Sequence, residues 1–207
     1  LINVPMAIPY ALSASIVPSL TAVVTAGTRK QVHYKIDQTI RLTMFLTIPC
    51  GVGFIALASP LMVLLYNDAG ATPANLLMLG SAVVVLYGWS SVSNSVLHGL
   101  NHMSSPAKNA GISLVIHLAA FVIMMTVFRM NVYALVCSNI VFALCMCYLN
   151  QRKIRKICGF RVNIVHTFVK PLIAALVMGV VAYAVHLVLD LLIGGRYIPT
   201  IIAILAA

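Results

Sequence analysis

Glutamate is absent from the 207 residues, and aspartate occurs only at Asp37, Asp68 and Asp190. Each stands in a different segment, so the paired carboxylates of general acid–base or glycosidic chemistry have no local source. The five cysteines (Cys50, Cys137, Cys145, Cys147, Cys158) contain no C-x-x-C. Cys145 and Cys147 point to different sides of a helix, which argues against zinc and leaves the thiols as small apolar side chains. A glycine-rich phosphate loop is missing too, so no nucleotide-driven step is expected. Charge as a whole is scarce: 8% of residues, against roughly a quarter in an average soluble domain. The chain therefore reads as no enzyme, with no cofactor and no metal.

What is present is apolar. Hydrophobic residues make up 62% of the chain. A soluble domain of this composition would lack polar residues to cover its outside, and a disordered chain would be poor in apolar ones. A β-barrel would alternate apolar and polar residues over about ten positions, whereas the apolar runs here are long and unbroken. The expected class is an all-α, polytopic membrane protein. A spanning helix needs about 20 mostly apolar residues. Six runs qualify, 1–26, 42–66, 76–100, 110–128, 132–149 and 171–193, and a seventh begins at 199. The chain opens without Met inside one apolar run and closes inside another, so a fragment is expected, with no secretory signal.

Basic residues divide sharply among the connectors. Arg29, Lys30, Lys35, Arg41, Lys108, Arg152, Lys153, Arg155, Lys156, Arg161 and Lys170 fall between spans one and two, three and four, and five and six. Only Arg129 and Arg196 fall in the alternate connectors. Positive loops stay in the cytoplasm, so the first set is inside, Asp68 is outside, and the first span runs inward. The formal net charge of +10 is thereby explained without nucleic acid, which would want a basic face with aromatic platforms. Attraction of Arg152–Arg161 to anionic membrane lipids is a secondary expectation.

Polar residues within the spans are the functional candidates. The first span holds Pro5, Pro9 and Pro18, with Ser13, Ser15, Ser19 and Thr21 near the last, and is expected to kink or break. Such a helix either lines a cavity or is a packed kink. The second span repeats the theme in weaker form, with Pro49, Gly51, Gly53 and Pro60. At 100° per residue, Tyr87, Ser90, Ser91, Asn94, His98 and Asn101 share an arc of about 100° on the third span. Asn109, Ser113 and His117 recur every four residues on the fourth. Interhelical hydrogen bonding would explain one or two such groups; nine favour one wall of an inward-facing cavity. His186 and Asp190, four apart on the sixth span, read either as a coupling pair or as an interfacial cap. Trp89, the only tryptophan, lies mid-span and reads as packing.

Several stretches resemble the C-terminal half of the polysaccharide-exporter branch of the multidrug/oligosaccharidyl-lipid/polysaccharide (MOP) flippases. The nearest likeness is to the stage V sporulation protein B family, related to lipid II flippases. The pieces are PYALSASIVPSLTA, IRLTMFLTIPCGVGFIALASPLMVLLY, LYGWSSVSNSVLHGLNHMSSPAKNAGISLVIHL, and RKICGFRV followed by VKPLIAALVMGVVAY. The resemblance implies the second half of a fourteen-span, two-lobe transporter: residues 1–149 as spans 8–12, 150–170 as a basic cytoplasmic loop, and 171–207 as the terminal pair. It further implies a monomeric, multi-pass protein of the bacterial plasma membrane. Its action would be to flip a lipid-linked oligosaccharide or cell-wall precursor, a polyprenyl-pyrophosphate sugar, to the outer leaflet by alternating access. The cavity wall would be Ser13, Tyr87, Ser90, Ser91, Asn94, His98, Ser113 and His117. Lipid II flippases tend to carry cations on the span matching the first, which is uncharged here, so the headgroup stays open. The alternatives are a cation-coupled multidrug exporter of the same superfamily, which would favour a carboxylate in the cavity, and a non-transporting membrane scaffold.

Overall fold

The computed structural model describes residues 2–27, 29–66 and 70–193, with side chains as far as Val188. Its helices are α1 (Asn3–Thr25), α2 (Arg29–Ala56), α3 (Ala58–Tyr66), α4 (Ala71–Gly99), α5 (Ser104–Thr126), α6 (Val132–Cys158) and α7 (Lys170–Ile193). One π-turn, Val165–Val169, leads into α7. Among the described residues six stretches are long and apolar enough to cross a bilayer: α1, α2, α4, α5, α6 and Val165–Val188. The runs at 199 onward, Asp68 and Arg196 lie outside the described residues.

The basic segments are mostly helix rather than loop. Arg29, Lys30, Lys35 and Arg41 ride on α2, and Arg152, Lys153, Arg155 and Lys156 on the last turns of α6. A helix of 28 residues is about 42 Å long, longer than the ~30 Å hydrocarbon core. Its charged end therefore continues into the headgroup layer with its backbone bonds intact. Between α6 and α7 only a short connector remains; Gly159, at φ 74°, closes α6 by donating its N–H to the Arg155 carbonyl.

The expected interruption does not fall in the first span. α1 runs unbroken through Pro9 and Pro18, each of which removes a single backbone donor. The interruption falls instead at Leu57, between α2 and α3. Pro60 has no N–H to offer the Ala56 carbonyl, while Leu57 and Leu61 keep their bonds to Gly53 and Leu57. Pro171 likewise cannot donate to the Thr167 carbonyl, and the preceding turn widens to π geometry.

α4 is the centre of the bundle, packing against α1, α2 and α6, with lighter contacts to α3 and α5. α5 rests chiefly on α6, and α7 on α2. The buried face of α1, Met6, Pro9, Ser13, Ile16 and Leu20, follows the three–four spacing of a single helical stripe. Leu20, Ile36, Ile40, Met44, Val92, Val96, Leu97 and Ile154 join in the main core. Two glycines let neighbouring helices lie close against α4. A Cβ on Gly88 would stand 2.8 Å from Thr47 Cγ2, and one on Gly99 3.0 Å from Leu20.

The helix ends sort by charge. Val24, Gly27, Arg29, His33, Leu100 and Cys158 surround one small cavity, so the end of α1, the start of α2 and the ends of α4 and α6 meet there. At the opposite end Asn3, Tyr66, Leu76 and Val136 line a shared cleft. Lys108, at the start of α5, neighbours Asn109, which is bonded to Asn150 of α6. Lys170, at the start of α7, shares a cleft with the first half of α2. The eleven basic residues of the sequence pattern thus converge on one end of the bundle.

Candidate substrate-facing site

α4 forms the floor of a groove whose walls are α1 and α6. Toward the end of the bundle away from the basic residues this groove opens as a cleft of about 410 Å³. Asn3, Met6 and Tyr10 of α1, Gly80, Val83 and Tyr87 of α4, and Val136 and Asn139 of α6 line it. The Tyr87 hydroxyl faces Asn139 Oδ1 at 3.5 Å.

Farther along the floor, polar side chains cross from helix to helix. Ser13 and Ser91 share a 2.8 Å hydroxyl–hydroxyl bond between α1 and α4. The amide of Asn109 donates to Asn150 Oδ1 at 2.8 Å, and the Asn150 amide donates to Asn94 Oδ1 at 2.7 Å. Three asparagines on α5, α6 and α4 therefore form one relay through the fully buried Asn150. His117 Nδ1 lies 2.8 Å from the Ser138 carbonyl, and its ring meets Phe142 edge-on. Cys147 donates its S–H to the Leu86 carbonyl at 3.2 Å.

The expected residues share one side of α4, but of the expected cavity wall only Tyr87 lines the open cleft, which faces away from the basic end, and part of the stripe is spent on neighbours. Tyr87, Ser91 and Asn94 each meet a side chain of α1 or α6, Ser90 is buried, and His98 is half-buried toward the basic end. Asn101 leaves the stripe. It sits past the helix at φ 62°, donating to the His98 carbonyl while His102 donates to Leu97, so it serves as the left-handed end cap. Ser113 is fully buried on α5, and its hydroxyl has no hydrogen-bond partner among the described residues. Trp89 packs edge-on against Phe168, ring centroids 4.9 Å apart. His186 Nδ1 is buried without a partner among the described residues, and the Asp190 side chain lies outside them.

Asn139 and Asn150 are the polar residues that the span pattern passed over. The fifth apolar run stops at 149, one residue short of Asn150. The signal was available: the two asparagines are eleven apart, about 20° on a helical wheel, and share the face that carries Ala143, Met146 and Cys147. Among the described residues no group of three or more His, Cys, Asp or Glu is placed to hold a metal. The cysteines are free thiols.

The fold and this groove define a polytopic helical membrane protein whose hydrogen-bonding side chains run along the inside of a bundle. The sequence matches the family described as lipid II flippase MurJ over residues 2–202. The chain belongs to that family, which sits within the resemblance drawn from the motifs above. It is 31% identical to the lipid II flippase MurJ of Bacillus subtilis (strain 168) over 119 residues, 56% of this chain. The matched region is 21% of that relative's length, so the chain corresponds to only part of such a protein. Six apolar spans and this membership make the chain part of a multi-pass protein of the bacterial plasma membrane, in a family named for transport.

Proposed function

We propose that the chain is one lobe of a flippase that moves a lipid-linked cell-wall precursor, a polyprenyl-pyrophosphate sugar, from the cytoplasmic to the outer leaflet, unchanged, by alternating access. The observation that carries this reading is the polar floor of α4 between α1 and α6, in a chain of the lipid II flippase family. A sugar–phosphate headgroup cannot cross hydrocarbon bare, because each unsatisfied polar group costs several kcal/mol there. Tyr87, Ser91, Asn94 and His98, with Ser13 beside them, supply replacement partners; Ser90, Ser113 and His117 support the same wall. α1–α6 would move as the lobe, with α7 and the residues after it as the terminal pair. His186 and Asp190 would couple transport to an ion gradient or the membrane potential.

The relay offers a clean test. Asn94→Leu and Asn109→Leu each delete one bond to Asn150, but Asn94 stands on α4, a helix that lines the cleft, and Asn109 on α5, which does not. In the full-length protein the two should lose similar stability, while only Asn94→Leu abolishes the appearance of labelled lipid-linked sugar outside liposomes. Equal transport by both variants would make the stripe a helix-joining seam and remove it from the substrate path. No transport of several such lipids by the unaltered protein, with ready export of cationic dyes, would replace the flippase by a drug exporter.

A further inference from the structure

A second cleft, of about 530 Å³, opens at the basic end between α2 and the π-turn that leads into α7. Its lining includes Arg41, Lys170 and His166, with Pro171 beside Lys170 and with Phe45 and Ala174 one helical turn on from Arg41 and Lys170. Cations at the headgroup level thus give way to an apolar slot within a single turn of each helix. Asp37 also faces the cleft and holds Arg41 in a 2.7 Å ion pair. That pair is solvent-accessible, with the Arg41 side chain 44% exposed, so it is worth little and is readily exchanged. Phe45, 60% exposed, is aimed at whatever lies beside the helix pair.

We infer that this cleft binds an anionic glycerophospholipid of the cytoplasmic leaflet, its phosphate between Arg41 and Lys170 and an acyl chain along Phe45 and Pro171. Basic pockets between spans on the cytoplasmic side have the charge and depth that such headgroups require. The order of groups down the cleft matches the lipid: phosphate-binding cations outermost, hydrocarbon below. The site lies on the α2–α7 side of the bundle, apart from the α4 floor, and is independent of the cargo. Asp37 tunes it, since its carboxylate competes with the phosphate for Arg41.

The test is binding of phosphatidylglycerol to the full-length protein, followed by native mass spectrometry, with phosphatidylcholine of the same chains as reference. Each surface cation contributes roughly a fivefold effect on affinity. The double variant Arg41→Gln/Lys170→Gln should therefore weaken phosphatidylglycerol binding about 25-fold and leave phosphatidylcholine unchanged. Arg129→Gln, beyond the far end of α5, should change it less than twofold. Asp37→Asn should tighten binding about fivefold, a gain that misfolding does not produce. Millimolar inorganic phosphate should not displace the lipid. Binding within twofold of wild type in the Arg41/Lys170 variant, or no gain in Asp37→Asn, would overturn the inference. So would displacement by inorganic phosphate, which would make this a phosphate site, or by undecaprenyl pyrophosphate, which would make it part of the cargo path.

Discussion

Asn150→Leu is the substitution from which most can be learned. The side chain is fully buried and makes two interhelical bonds, accepting from Asn109 and donating to Asn94. Leucine keeps the branched shape with bulkier methyl ends, so the change removes the hydrogen bonds and opens no cavity, with some added crowding. Interhelical bonds within a membrane average about 0.6 kcal/mol and reach about 1.7. Two of them set the loss at about 1–3 kcal/mol, shared between the α4–α6 and α5–α6 seams. Unfolding of the full-length protein in bicelles, by steric trapping or a denaturing detergent, measures it. Adding Asn94→Leu to Asn150→Leu should then cost about 0.6–1.7 kcal/mol less than Asn94→Leu alone, because the bond is already gone. Wild-type stability for Asn150→Leu, or strict additivity in the double variant, would refute the relay as a structural element.

Gly88→Ala should destabilise by about 1–3 kcal/mol, since the new Cβ would meet the stiff, buried Thr47 at 2.8 Å, whereas Gly111→Ala, with nothing within 4 Å, should be neutral or slightly stabilising. Paired unfolding measurements decide it, and equal effects would mean that α2 and α4 do not approach closely at Gly88. Single cysteines at Lys30 and Asn131, in a background lacking the native five, test orientation in intact cells. An impermeant maleimide should label position 131 and spare position 30, and the reverse pattern would invert the bundle.

The spans were legible because a period of about 20 apolar residues survives any packing detail; α4, α5 and α7 begin within a few residues of their predicted starts apart from early turns rich in Ala, Thr and Ser. The ends were less so. Hydropathy stops at the first charge, but a helix does not, and Arg29–Arg41 and Arg152–Lys156 are helical because backbone bonding continues into the headgroup layer. The place of the break was legible only as the weaker of two signals, the second span's prolines and glycines standing behind the three prolines of the first. Three prolines in α1 left it continuous, while a single one, Pro60, accompanies the interruption at Leu57, since the outcome depends on neighbours that one helix cannot reveal. The polar stripe on α4 was readable from its spacing, but its partners were not. Asn150 lies just beyond an apolar run, and only the fold brings it between Asn94 and Asn109.

These contacts divide the chain mechanically. Ser13–Ser91 ties α1 to α4, the asparagine relay ties α4 to α6 and α5, His117 ties α5 to α6, and Gly88 lets α2 sit directly on α4. Each link is small, yet they are distributed around one central helix, so separating any one of the five helices breaks a bond or a close-packed contact. α7 is attached otherwise. Among the described residues it makes no side-chain hydrogen bond to another helix, it meets α2 at Gly179 against Val52, and it enters through the π-turn. A π-turn is a common place for a helix to kink. On the proposed reading, α1–α6 therefore move as one body, and adjustment between the lobe and α7 falls at Val165–Val169. That segment borders the Arg41–Lys170 cleft, so a lipid seated there would bear on the junction where the two parts can shift.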